Sequence, residues 1–83
     1  MNTSDPRAVR SREDLAEFVR RLAHDLKQRP EEWENVDLGD FLEAMSAWVD
    51  DMDGFYKNRG EAVPTQPDWM TFAEILEAAR IYE

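Results

Sequence analysis

From Phe41 to Tyr56 the apolar residues return every three or four positions: Phe41, Leu42, Met45, Trp48, Val49, Met52, Phe55 and Tyr56. At about 100° per residue these eight fall within about 140° of one helical face. That spacing suits an α-helix. A strand would send the same residues alternately to two sides. Nothing in the chain alternates with period two for long enough to make a sheet. A helix with so broad an apolar arc needs other elements to cover it, and the chain has 83 residues in which to supply them. One domain is therefore expected.

Two further stripes complete the pattern. Leu15, Phe18, Val19, Leu22 and Leu26 predict a first helix over about 12–29. Ser11 is placed to accept from the amide of Asp14 at its start, and Pro30 stops it. Glu17 with Arg21 and Asp25 with Arg29 add favourable pairs one turn apart. The second helix spans about 38–59, with Asp37 as N-cap, Val36 and Phe41 as a staple, and Gly60 as terminator. The third could start near Asp68 but is placed at 71–82. Thr71 with Glu74 reads as a capping box, Met70 with Ile75 as its staple, and Phe72, Ile75, Leu76, Ala79 and Tyr82 as one face. Residues 1–10 read as a loose tail ahead of a single helical domain over 11–83. The fold class is all-α: a small antiparallel three-helix bundle with two aromatic-containing connections, residues 30–37 with Trp33 and residues 58–70 with Trp69. The second helix, with the widest arc, is expected to touch both others.

Counting excludes most chemistry. There is no cysteine, and His24 is the single histidine. A Cys-His nucleophile pair and a histidine-built zinc site are therefore out of reach. His24 falls opposite Leu15, on the solvent side of its helix. The glycines Gly39, Gly54 and Gly60 make no phosphate-cradling loop. Asp50-Asp51-Met52-Asp53-Gly54 looks like part of a calcium loop but fails on register. With Gly54 in the sixth position, Val49 and Gly60 would have to be ligands. No catalytic residue, metal site or cofactor is assigned. The longest apolar run is Ala47-Trp48-Val49, far short of a membrane span, and the first ten residues lack a signal-peptide core. A cytoplasmic location is expected.

The net charge of −9 argues against nucleic acid as a direct partner. It is unevenly distributed. Residues 1–30 carry a net +2, residues 55–83 a net −2, and residues 31–54 hold nine acidic groups with no basic one. On the second helix Asp40, Glu43, Asp50 and Asp51 cluster opposite the apolar stripe, alongside Ala44, Ala47 and Gly54. The plain reading is a solvated face that keeps a small protein soluble. The functional reading is a docking face for a basic protein. Trp33 and Trp69 are candidate anchors beside it, or cover for a small core.

Order along the chain also carries a resemblance. Trp33-Glu34-Asn35, Leu38, Phe41-Leu42-Glu43-Ala44-Met45, Trp48, Pro64, Trp69, Leu76-Glu77-Ala78-Ala79 and Tyr82-Glu83 resemble a group of small bacterial, actinobacterial-type proteins known only as a domain of unknown function. The resemblance implies a stand-alone bacterial domain and brings no catalytic residues. Two functions are compared. One is a non-enzymatic module binding a basic protein, in the manner of an immunity protein or antitoxin. The other is a small-molecule or cation-binding domain with a pocket lined by Trp33, Trp48 or Trp69. Oligomeric state stays open, with Ile81 off its helix's stripe and a homodimer allowed.

Overall fold

Local signals set two of the three helices. The computed structural model describes residues 5–82 and holds, among them, α1 (Arg12–Gln28), α2 (Leu38–Asn58) and α3 (Trp69–Ala79). Single turns of 3-10 helix occur at Pro6–Ala8 and Pro30–Glu32. The Asp14 amide donates to Ser11 Oγ at 3.1 Å, so α1 starts where its cap dictates. Asp37 occupies the cap position of α2 with extended backbone, but its side chain makes no capping hydrogen bond. At the other end Gly60 takes φ +68. Its N–H donates to the Lys57 carbonyl at 3.0 Å, and the Glu61 N–H reaches the Tyr56 carbonyl at 2.9 Å. That pair of bonds is a Schellman closure, which favours glycine at the left-handed residue. Asp50 to Gly54 lie inside α2 as continuous helix. No helix among the described residues is long and apolar enough to cross a membrane.

The third helix differs from expectation. It begins at Trp69, because Asp68 is the cap: its carboxylate accepts from the Thr71 amide at 2.8 Å and from the Thr71 hydroxyl at 2.7 Å. Thr71 is buried inside the first turn, and Glu74 serves a distant partner instead of a capping box. The helix ends at Ala79 and not at 82. The Glu34 and Asn35 amides both donate to the Arg80 carbonyl, and the Asn35 side chain donates to the carbonyls of Ala79 (2.9 Å) and Tyr82 (2.8 Å). Those bonds tie residues 79–82 to the first connection, while the Ile81 and Tyr82 amides both donate to the Ala78 carbonyl in a closing turn.

The central element is α3, not α2. It packs against α1 on one side and α2 on the other, while α1 and α2 have no comparable interface with each other. Ala73 and Ala79 are fully buried there, and their small side chains let both neighbours approach closely. The C-terminal turns of α1 and α3 meet the N-terminal turn of α2 around Trp33, so consecutive helices run in opposite directions.

Residues 5–10 are not a loose tail. Val9 is 1% exposed and joins Phe18 and Ala73 in the core, with Leu15, Leu22 and Leu76 around them. Burying a valine this fully contributes about 1.5–3 kcal/mol, enough to hold a short segment in place. Residues 1–4 of the expected tail lie outside the described residues.

Helix α2 is also rotated from its expected seating. Ala44, expected on the solvent side, is buried with Trp48 and Tyr56. Trp48 and Phe55 meet edge to face at 5.2 Å, and that aromatic edge turns toward residues 80–82. The far edge of the stripe is left in solvent, with Leu38 beside it: Leu38 is 73%, Leu42 50% and Val49 41% exposed. The molecule is a slab of 34 × 30 × 18 Å. Residues 5–10 and 80–82 cover its back, and its apolar front is open.

Candidate functional site

The outer flank of α2 carries Asp40, Glu43 and Asp50, all exposed. None of the three makes a side-chain hydrogen bond or ion pair among the described residues. The cations are engaged elsewhere. Arg12, Arg20, Arg21 and Arg29 pair with carboxylates of their own segment, Arg7 and Arg59 with Glu61, Lys57 with Asp53, and Arg80 with Glu77. Asp51 ends the acidic band at the back and accepts from the Tyr82 hydroxyl at 2.5 Å. That bond, with burial and the Asp51 charge, pushes the Tyr82 hydroxyl above its ordinary pKa. Between the band and the C-terminal segment lies a depression of about 340 Å³. Glu34, Asp40 and Glu43 line it, with Ala44 and Ala47 as small residues that leave it open.

The structure does not bring the two candidate tryptophans together. Trp33 is buried at the C-terminal end of α3. Its Nε1–H donates to Asp25 Oδ2 at 2.9 Å, its ring stacks on Phe41 at 6.1 Å, and the Arg80 guanidinium sits 5.8 Å from it. The Trp33 indole, then Arg29, hold the Asp25 carboxyl below the usual range. Trp33 is thus fully engaged in closing this end of the molecule. Trp69 stands at the opposite end of α3, 42% exposed and tilted against Phe72. Trp48 lies apart from both, on a back cavity of about 400 Å³ with Phe55, Ala78 and Ile81. Ile81 therefore belongs to the back of the slab.

Two features escaped the sequence reading. One is a buried polar group at the core's edge. The Tyr56 hydroxyl donates to Glu74 Oε1 at 2.6 Å, and Arg7 reaches Glu74 Oε2 at 3.5 Å and Glu61 Oε2 at 2.8 Å. Burial, then the bond to Glu74, raise the Tyr56 pKa, so the hydroxyl stays a donor at neutral pH. The sequence signal was a glutamate among apolar neighbours, on a helix with one other charged residue, Glu77. The other is a front groove of about 300 Å³ between α1 and the start of α2. Val19, Leu26, Val36, Leu38, Phe41 and Leu76 line most of it. The sequence had placed Val19, Leu26, Phe41 and Leu76 on apolar stripes and Val36 in a staple, and had given Leu38 no place in either.

The helices and flank just described lie within residues 11–83, and that span matches a single family model. The chain belongs to a family of unknown function (DUF7660). The DUF7660 match takes in all three helices, Trp33 and the acidic band. It stops short of Arg7 and Val9, which close the back of the slab. No curated protein and no solved structure matches the chain.

Proposed function

We propose that this DUF7660 chain is a non-enzymatic module that binds a basic protein through the outer flank of α2. One observation carries the reading. Asp40, Glu43 and Asp50 are exposed together without counter-ions among the described residues, on a molecule whose arginines are nearly all paired elsewhere. Like charges held together on one face repel, and a partner's cations relieve that repulsion while steering its approach. The depression beside Glu34, Asp40 and Glu43 has room for one lysine or arginine side chain. An immunity- or antitoxin-like role fits such a module, with a basic toxin as the partner.

The test is affinity capture from the source organism's lysate at about 50 mM and about 500 mM salt, since screening weakens surface charge pairs. Wild type is compared with Asp40→Lys/Glu43→Lys/Asp50→Lys/Asp51→Lys. A basic protein held by wild type at low salt, and lost with the variant, supports the reading. Identical captures by both proteins sink it. The small-molecule alternative rests on the cavity beside Trp48, where Glu74, Glu77, Arg7 and Arg59 stand around an apolar wall. Fragment binding that shifts the Trp48 indole signal would favour it.

A further inference from the structure

The front of the slab is an unfinished core. Val19 of α1, Phe72 of α3 and Leu38, Leu42 and Val49 of α2 are each 41–73% exposed. Helical register sets them on the side away from the segments that cover the back. A single layer of helices normally buries such a face against a second layer. Among the described residues, the two short segments 5–10 and 80–82 are committed to the other side.

We propose that a second copy of this chain covers the front, giving a two-fold symmetric dimer. The charge pattern selects this occupant. Beyond the apolar face, the outer flank of α1 presents Lys27 together with Arg12 and Arg20, which sit in exposed pairs with Glu13 and Glu17, and the outer flank of α2 presents Glu43, Asp50 and Asp53, the last 3.7 Å from Lys57. Exposed pairs of this kind exchange partners at little cost. The flanks stand on opposite sides of α3. A two-fold axis running along the helices, in the plane of contact, lays α3 over α3 and each α1 over the partner copy's α2. Apolar face then meets apolar face, and each basic flank meets an acidic one. Two-fold contacts require a self-complementary patch, and this face is one. Its size is sufficient: the broad side spans 34 × 30 Å. A standard interface takes on the order of 800 Å² per partner. The dimer uses flank carboxylates of the docking proposed above, so a basic partner and a second copy compete for Glu43 and Asp50. The apolar contact is its own.

Sedimentation equilibrium of the purified full chain tests it. Wild type should dimerise, and Leu42→Asp/Val49→Asp should be monomeric with unchanged helical circular dichroism, since both positions are exposed. Two flank variants give the sharper result. Arg12→Glu/Arg20→Glu/Lys27→Glu makes both flanks acidic, and Glu43→Lys/Asp50→Lys/Asp53→Lys makes both basic. Each alone should dimerise at least tenfold more weakly at low salt, and an equimolar mixture should restore a 1:1 dimer. A wild type that stays monomeric at about 0.5 mM, well above a micromolar Kd, overturns the dimer. It leaves the docking reading standing if a basic protein is still captured. A Leu42→Asp/Val49→Asp variant that still dimerises, or a mixture that fails to restore association, overturns the proposed face.

Discussion

Replacing Tyr56 by Phe removes one oxygen from the most enclosed polar contact of the molecule. Tyr56 is 4% exposed and Glu74 5%, and the hydroxyl donates to the carboxylate at 2.6 Å. Without it Glu74 keeps only the long 3.5 Å approach of Arg7. A hydrogen bond to a charged group is worth about 1.5–3 kcal/mol, and its loss here leaves a buried carboxylate short of a donor. We expect Tyr56→Phe to cost about 2 kcal/mol, from a total on the order of 4–12 kcal/mol for a domain this size. At about 4–8 °C per kcal/mol the melting temperature should fall by about 8–16 °C. Urea unfolding followed by circular dichroism gives the free energy directly. The companion is Glu74→Leu, alone and combined with Tyr56→Phe. Once the carboxylate is gone, the hydroxyl has lost its acceptor and its removal costs little. The double variant should therefore be more stable than the sum of the singles implies, by about 1–2 kcal/mol. A Tyr56→Phe effect below about 0.5 kcal/mol, or strict additivity, would refute the assignment of this pair as a net stabilising contact.

Val9→Ala should lose about 2 kcal/mol, as for other methyl deletions in a packed core, whereas a truly loose tail would show no change in urea midpoint. Trp33→Phe keeps the stack on Phe41 but removes the donor to Asp25, so the Asp25 carboxyl should titrate at higher pH in a carbon-13 NMR titration. The same carboxyl sets a pH dependence. Asp25 lies below its ordinary value when folded, chiefly through the Trp33 indole and then Arg29, so its contribution is present above the unfolded pKa near 4 and lost as pH falls through the folded one. The stability gap between wild type and Asp25→Asn should be constant above about pH 5 and shrink below about pH 4; a gap that widens on acidification contradicts the sign.

What the sequence displayed clearly was whatever depends on neighbours in the chain. Ser11 and Gly60 act through bonds a few residues long, and Pro30 through the limits it places on the residue before it, so the bounds of α1 and α2 come out within a residue of expectation. The start of α3 was hidden because two caps compete there. Thr71 with Glu74 has the form of a box, but Glu74 is claimed by Tyr56 from another helix, and that claim leaves no local trace. Val9 was hidden because a single apolar residue has no period. The central place of α3 did leave a mark. Trp69, Met70, Phe72, Ala73, Ile75, Leu76, Ala78 and Ala79 make it apolar nearly all round, as a helix enclosed by others must be. Of the candidate site, the acidic flank was readable from charge alone. The open front was not, since a stripe announces apolarity and not whether anything covers it.

Because α3 holds α1 and α2 apart and joins them, the order of assembly is constrained. The first two helices lack a mutual interface with which to form a lasting pair, so each is marginal until the third arrives. Folding must then close the long separation between Phe18 and Ala73 together with that between Tyr56 and Glu74, in one concerted step. Such a chain should fold late and all at once, with a transition state built around α3 and a slow rate for an all-helical domain of this length. Until that step its apolar stripes are available to any chaperone that meets them.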